Sequence, residues 1–367
     1  MTRRARRLVS GGSLGATHVR ARAAGAVVRG SLVAAALLAL GACTADDGRE
    51  VLIVYSPHGP DLLNTFEERF EAAYPNVDVQ ALDMGSQEVL DRLRSERANP
   101  QADVWFGGPS QMFESAAEEE LIEEYTPSWS ETVGEYRDPE RRYHAVYLTP
   151  LMIAYNTAAI DSASAPQEWD DVLDPQWQGQ VLIRDPVASG TMRTIFGMVI
   201  QRSIRETGTP DAGFEWLRRL DQQTREYVLN PTLLYQKLAR QEGTITLWDM
   251  PDIEMMRARE TAYPFGYIFP ASGTPLVEDA IAVVSGSSNP ELARQFVDFI
   301  GSEAEILVAA REHFRLPARG DIPSDSLPEA LRHAREVINP EPMDWQILHE
   351  RGAEWMRFWD DNVRGRG

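Results

Sequence analysis

The 367 residues contain one cysteine, Cys43, and one lysine, Lys237. A lone cysteine excludes an intrachain disulfide and a cysteine-held metal cluster, which removes zinc-ribbon and thiol-redox chemistry. Long apolar runs are missing too. Ser31 to Leu40 falls short of the roughly 20 residues that a membrane-spanning helix needs. There is no His-Glu-x-x-His, no Gly-x-Ser-x-Gly elbow and no phosphate-binding Gly-x4-Gly-Lys loop. The histidines at 144, 313, 333 and 349 stand singly. With no catalytic constellation, the sequence reads as a binding protein and not as an enzyme, with no cofactor.

Cys43 directly follows Leu40-Gly41-Ala42 at the end of that short apolar run. Those residues resemble a bacterial lipobox, which implies a signal peptide over 1–42 and a diacylated Cys43. Upstream lie arginines at 3, 4, 6, 7, 20, 22 and 29 and no acid, the charged region such a leader requires. The pairs Arg3-Arg4 and Arg6-Arg7 leave twin-arginine and general export open. Residues 43–50 then supply the lipidated cysteine and a small, polar tether.

Positive charge is scarce beyond the leader. Without its seven arginines the chain carries 29 basic against 56 acidic side chains, a formal charge of −27. A surface of that sign repels phosphate backbones and anionic headgroups, so nucleic-acid binding and electrostatic membrane adsorption are disfavoured. The 325 residues after Ala42 suffice for two domains.

Along the chain, strands alternate with helices. Val51 to Tyr55, Val77 to Leu82 and Ala102 to Phe106 read as strands, with helices built on Leu62, Leu63, Phe66 and Phe70 and on Gln87 to Arg97. Val181 to Arg184, Tyr227 to Asn230, Thr244 to Trp248 and Ala280 to Val284 continue the strands; helices start near Ser189, Phe214 and Pro231 and cover Asn289 to Ile300 and Glu303 to Arg311. This alternation indicates parallel βαβ units whose strand ends gather into one crevice, an α/β fold. Tyr147 to Asn156 is extended, too long for an ordinary strand and broken by Pro150; Phe265 to Pro275 is a second such segment. Two crossovers between two lobes imply a hinge and a cleft. The expected division is 51–146 for one lobe, 147–275 for the other, and 276–367 completing the first and ending in a helical tail. The acidic run Glu118 to Glu120 with Glu123 and Glu124 is expected as a solvated helix face.

Several short motifs occur in order: Val54-Tyr55-Ser56, Gly85-Ser86, Asn99-Pro100-Gln101-Ala102-Asp103-Val104, Tyr155-Asn156, Asp185-Pro186 with Ser189-Gly190-Thr191, and Asn289-Pro290 with Ala293 to Phe299. Together with the lipobox they resemble a bacterial extracellular solute-binding protein of an ABC importer, in the family 1 branch with ferric-iron and hexose-phosphate binders. The resemblance implies the two-lobed type II periplasmic binding fold, a small-molecule solute, a membrane permease as partner, a monomer, and a place in the periplasm or at the cell surface, held by the lipid on Cys43.

Gly85-Ser86-Gln87 and Ser189-Gly190-Thr191 each enter a helix, where free N–H groups and the helix dipole attract an anion. The alternative for either is an ordinary capped helix. Arg184 and Arg193 flank the second loop. Expected contacts are Ser56, His58, Gly85, Ser86, Gln87, Gly108, Ser110, Ser189, Gly190, Thr191, Trp248 and Asp249, for a solute bearing phosphate, phosphonate or carboxylate, or one rich in hydroxyls. Ferric-binding members carry a histidine near the place of His58, a late tyrosine pair and a glutamate after the third strand. Here the late strand ends Trp248-Asp249-Met250-Pro251-Asp252 and the third ends Phe106-Gly107-Gly108, too few hard anionic ligands for ferric iron. A metal receptor using His58 and Asp249 remains the alternative within the fold; an anchored hydrolase on the same scaffold is the alternative of another class.

Overall fold

The β-branched and aromatic run at Val51 to Tyr55 builds the first strand of a computed structural model that describes residues 48–259 and 263–366. Residues 1–42 and Cys43, which carry the export and lipidation expectations, lie outside the described residues. In chain order the elements are β1 (Glu50–Ser56), α1 (Pro60–Ala73), β2 (Val77–Asp83), α2 (Ser86–Glu96), β3 (Val104–Pro109), α3 (Ser110–Glu118), β4 (His144–Asn156) and β5 (Val181–Arg184). There follow α4 (Gly190–Thr207), α5 (Asp211–Gln223), β6 (Thr224–Val228), α6 (Pro231–Ala239), β7 (Ile245–Asp249), α7 (Met250–Ala258) and β8 (Phe265–Ile268). The chain ends with β9 (Leu276–Val283), α8 (Pro290–Ile300), α9 (Glu303–His313), β10 (Leu316–Pro317), α10 (Glu329–Val337) and α11 (Trp345–Asn362).

Strand order is β2-β1-β3-β9-β4-β7-β5-β6, with β8 and β10 also paired to β4. Neighbours β1–β2, β1–β3, β5–β6 and β5–β7 are parallel, as short strands joined through helices must be. All thirteen residues of β4 are buried, because it serves both sheets. From His144 to Pro150 it pairs with β9; from Leu151 to Tyr155 it pairs with β7. The chain crosses back between β8, paired to the second half of β4, and β9, paired to the first. The result is two α/β lobes joined by two crossovers.

Helices pack by apolar stripes. In α1, Leu62, Leu63, Phe66 and Phe70 face inward, and Phe70 meets Phe296 and Phe299 edge-on at 5.1 and 5.2 Å. The C-terminal helix α11 lies on the middle of the chain: Trp359 packs against Phe196 and Tyr227 at 5.4 and 5.0 Å, and Phe358 against Phe214 at 4.3 Å.

Three local expectations change. The strand expected at Tyr227 to Asn230 is Thr224–Val228, because Asn230 leaves the sheet to cap α6, its Oδ1 accepting from the Leu233 N–H at 2.8 Å. Helix α5 begins at Asp211, ahead of Phe214. The acidic run is not a helix face. Helix α3 stops at Glu118, Glu120 has a φ of 58°, and the acids pair with arginines, Glu119 with Arg94 at 2.6 Å and Glu123 with Arg294 at 2.8 Å.

Candidate functional site

The loops that leave the C-terminal ends of β1, β2, β3, β5 and β7 converge on one cavity of about 140 Å³. After β1, the His58 N–H donates to Ser56 Oγ at 3.1 Å and closes a tight turn. The His58 ring packs edge-on to Phe106 and Tyr147 at 4.8 and 6.0 Å. Its Nε2 is buried without a hydrogen-bond partner and faces Gly107, where a Cβ would lie 2.3 Å away. Gly107 has a φ of 95°, so backbone and neighbour both demand glycine. Burial, with the positive charge of Arg315 and nearby His313, holds the His58 imidazole neutral, its pKa well below the usual histidine range.

After β2, Gly85 precedes α2 with no side-chain cap, so the first-turn N–H groups of α2 carry no side-chain acceptor. After β5, Ser189 caps α4, its Oγ accepting from the Met192 N–H at 3.3 Å. These two helix starts meet. A Cβ on Gly190 would lie 3.2 Å from Ser86 Oγ and 2.8 Å from Pro109 Cγ, and a Cβ on Gly85 would lie 3.0 Å from the Ala188 carbonyl oxygen. After β7, Asp249 caps α7 by accepting from the Asp252 N–H at 3.1 Å. Trp248 is buried, its Nε1 donating to Tyr235 Oη at 3.0 Å.

Of the residues expected from sequence, His58, Gly85, Ser86, Gly108, Ser189, Gly190, Thr191, Trp248 and Asp249 all line the cavity. Three do not. Ser56 is spent on its own turn; Gln87 accepts from Arg193 Nη1 at 2.6 Å; Ser110 is buried at the start of α3, outside the cavity wall. Charged residues absent from the expected contact set complete the wall: Asp83, Arg184, Asp252, Asp279 and Arg315, with Thr149 beside them. The Glu278-Asp279 pair inside the otherwise apolar strand β9 was the available sign for Asp279. Arg315 carries no sequence signal.

The cavity is electrically mixed. Asp279 is buried and accepts from the Gly108 N–H at 2.9 Å and from Thr149 Oγ1; burial still pushes its carboxyl up. Burial and the nearby Asp252 hold Asp249 well above the usual carboxylate range. Asp83 is raised by partial burial and by Asp252. Buried Arg315 keeps its charge because Asp252, Asp279 and Asp249 outweigh the effect of burial; its Nη2 is 3.4 Å from Asp252 Oδ1 and its Nε is unpartnered. Arg184 is only 8% exposed, and among the described residues its one hydrogen bond goes to the Val228 carbonyl oxygen at 3.3 Å. Its neighbour Asp185 is taken by Arg364 at 2.9 Å. Among the described residues no group of three or more histidine, aspartate or glutamate side chains is placed to hold a metal ion, and no helix is long and apolar enough to cross a membrane.

A cleft between two α/β lobes, walled by strand-end loops and helix N-termini, defines a ligand-capturing receptor. Residues 99–351 match the family described as bacterial extracellular solute-binding protein, and the chain belongs to that family. A relative from Sinorhizobium fredii, provisionally named an ABC transporter periplasmic-binding protein, is 27% identical over 86% of this chain and 87% of its own. A Salmonella typhimurium protein, provisionally named 2-aminoethylphosphonate-binding, is 25% identical over 78% of this chain and 79% of its own. Among solved structures, the periplasmic binding protein AfuA from Actinobacillus pleuropneumoniae, with fructose-6-phosphate bound, superposes with a TM-score of 0.72 at 22% identity, covering 86% of this chain and 99% of that one. The ferric binding protein from Campylobacter jejuni gives 0.71 at 17% identity over 84% and 98%.

Proposed function

We propose that the chain is the substrate-binding component of an ABC importer, which captures a small solute bearing phosphate, phosphonate or carboxylate, or rich in hydroxyls, between its lobes. The observation that carries the reading is Arg184: a buried guanidinium with no ion pair among the described residues, on the same cavity wall as the N-termini of α2 and α4. Free N–H groups, two helix dipoles and a guanidinium together make an anion site. The same reading assigns residues 51–146, completed by the chain after Leu276, to one lobe and 147–275 to the other, with the helical tail α11 reaching across to pack on the second; the change of strand partner between Pro150 and Leu151 supports the division. An anion gripped by both helix starts favours the closed form, because a ligand shifts an equilibrium by its differential affinity for the two states. The reading includes export, a lipid on Cys43, a monomer, and delivery to a membrane permease without covalent chemistry.

The test is thermal denaturation of the ligand-stripped protein against phosphate, fructose-6-phosphate, 2-aminoethylphosphonate, citrate, and ferric ion with and without carbonate. A ligand at 100 times its dissociation constant adds about 2.7 kcal/mol. Stabilisation by one of the organic or inorganic anions alone is the expected result. Stabilisation by ferric ion alone would replace the anion reading with the metal one.

A further inference from the structure

The anion site accounts for only half of the cavity wall. Four carboxylates, Asp83, Asp249, Asp252 and Asp279, face two guanidinium groups, Arg184 and Arg315. His58 lends no positive charge, since burial keeps it neutral. Two of the four acids are committed: both oxygens of Asp279 accept from Gly108 and Thr149, and Asp252 accepts from Tyr235, Trp248 and Arg315. Asp249 differs. It is 5% exposed and lines the cavity, yet only its Oδ1 has a partner, the Asp252 N–H; its Oδ2 has none among the described residues. Asp83, at the end of β2 on the same wall, has no side-chain partner among them either. An anion alone would raise the already elevated carboxyls of Asp249 and Asp83 further and leave Asp249 Oδ2 without a partner, whereas a cation beside them would favour their ionised form.

We propose that the solute is a zwitterion: its anionic end sits at Ser86, Gly190 and Arg184, and a protonated amine donates to Asp249 Oδ2 and Asp83. The inference rests on the anion reading of the same cavity and adds the second group that the solute must carry. Three N–H donors on an ammonium suit a wall whose free groups are acceptors. The amine pairs with Asp249 and Asp83 and favours their ionised form, while Arg184 and the helix starts hold the acid. A solute with the acid alone leaves Asp249 Oδ2 and Asp83 without a donor, so the wall favours the zwitterion over it.

The experiment is titration calorimetry on the full chain, stripped of ligand, with two probes that differ only in the amine: 2-aminoethylphosphonate and ethylphosphonate. Charge-assisted bonds of this kind correspond to about 10- to 100-fold in affinity, and that is the preference expected for the amine-bearing probe. Asp249→Asn keeps an acceptor for the cap of α7 and should reduce the preference to within about threefold, by lowering affinity for 2-aminoethylphosphonate and not for ethylphosphonate. Asp83→Asn, at a more exposed position that does not endanger folding, should reduce it part of the way. Equal or tighter binding of ethylphosphonate by the native protein would overturn the amine site and leave the anion reading standing. An undiminished preference in both variants would overturn the assignment to these residues. Failure of both phosphonates to bind, with putrescine binding instead, would overturn the anion reading and the zwitterion together.

Discussion

Arg193 Nη1 donates to Gln87 Oε1 at 2.6 Å, tying α4 to α2 beside the cavity. Gln87 is a contact between the helix starts, one step removed from the cavity wall. If the bond forms only when the lobes close, Gln87→Ala should leave the ligand-free melting temperature unchanged and weaken solute binding about fivefold, the effect of losing roughly 1 kcal/mol from a partly exposed charged hydrogen bond. Calorimetry measures the affinity, and X-ray scattering should show a larger ligand-loaded particle than the native one at equal saturation.

Gly190 offers a stronger test of the same closure. Its missing side chain lets α4 approach Pro109 and Ser86, where a Cβ would lie 2.8 and 3.2 Å from their nearest atoms. Overpacking of this kind costs about 1–3 kcal/mol. If open lobes relieve the clash, Gly190→Ala should lower affinity about tenfold or more with little change in ligand-free stability. A large fall in melting temperature without ligand would show that the contact belongs to the resting fold.

Arg184 should show the opposite signs in stability and binding. Burial lowers its pKa, and the nearby Asp185, itself bonded to Arg364, offsets only part of the loss of hydration. Arg184→Met keeps the length and removes the charge, so the ligand-free protein should be as stable as the native one or more so, by about 1 kcal/mol in denaturant unfolding. Affinity for an anionic solute should fall about 10- to 100-fold. Unchanged affinity would remove Arg184 from the site.

The scaffold was legible in the sequence because its signals are local. A proline inside the ten residues from Tyr147 to Asn156 marked β4 as a crossover, and Gly-Ser pairs marked the helix starts at Ser86 and Gly190. The charged half of the site was less so. Arg315 reaches the cavity through Phe314, which ends α9 with a φ of 52°, a direction no spacing encodes. Asp279 differs from a structural buried acid only once Gly108 and Thr149 are known as its donors. Gln87 and Ser110 were read as contacts because polar residues open a helix, but Gln87 turns to Arg193 and Ser110 is buried off the cavity wall.

Two buried histidines lose their contribution to stability as the pH falls. His144, hydrogen-bonded to Ser130 Oγ at 2.8 Å, is lowered to about 4, first by burial and then by Arg137 and Arg141. His313 is lowered to about 4 by burial and Arg315. A histidine held below its unfolded pKa of about 6.5 binds its proton more readily in the unfolded chain. Its contribution is therefore full above that pH and is lost as pH falls toward 4. For His144 the loss is up to about 3 kcal/mol. The raised carboxylates of Asp83, Asp249 and Asp279 act in the opposite sense, gaining stability as they take up protons, so the total curve does not isolate the histidine. The difference between native protein and His144→Gln does: in denaturant unfolding the native protein should lead at pH 7.5, and the lead should shrink steadily between pH 6.5 and 4. A lead independent of pH would mean that His144 stabilises the fold by packing and its bond to Ser130, with its protonation playing no part.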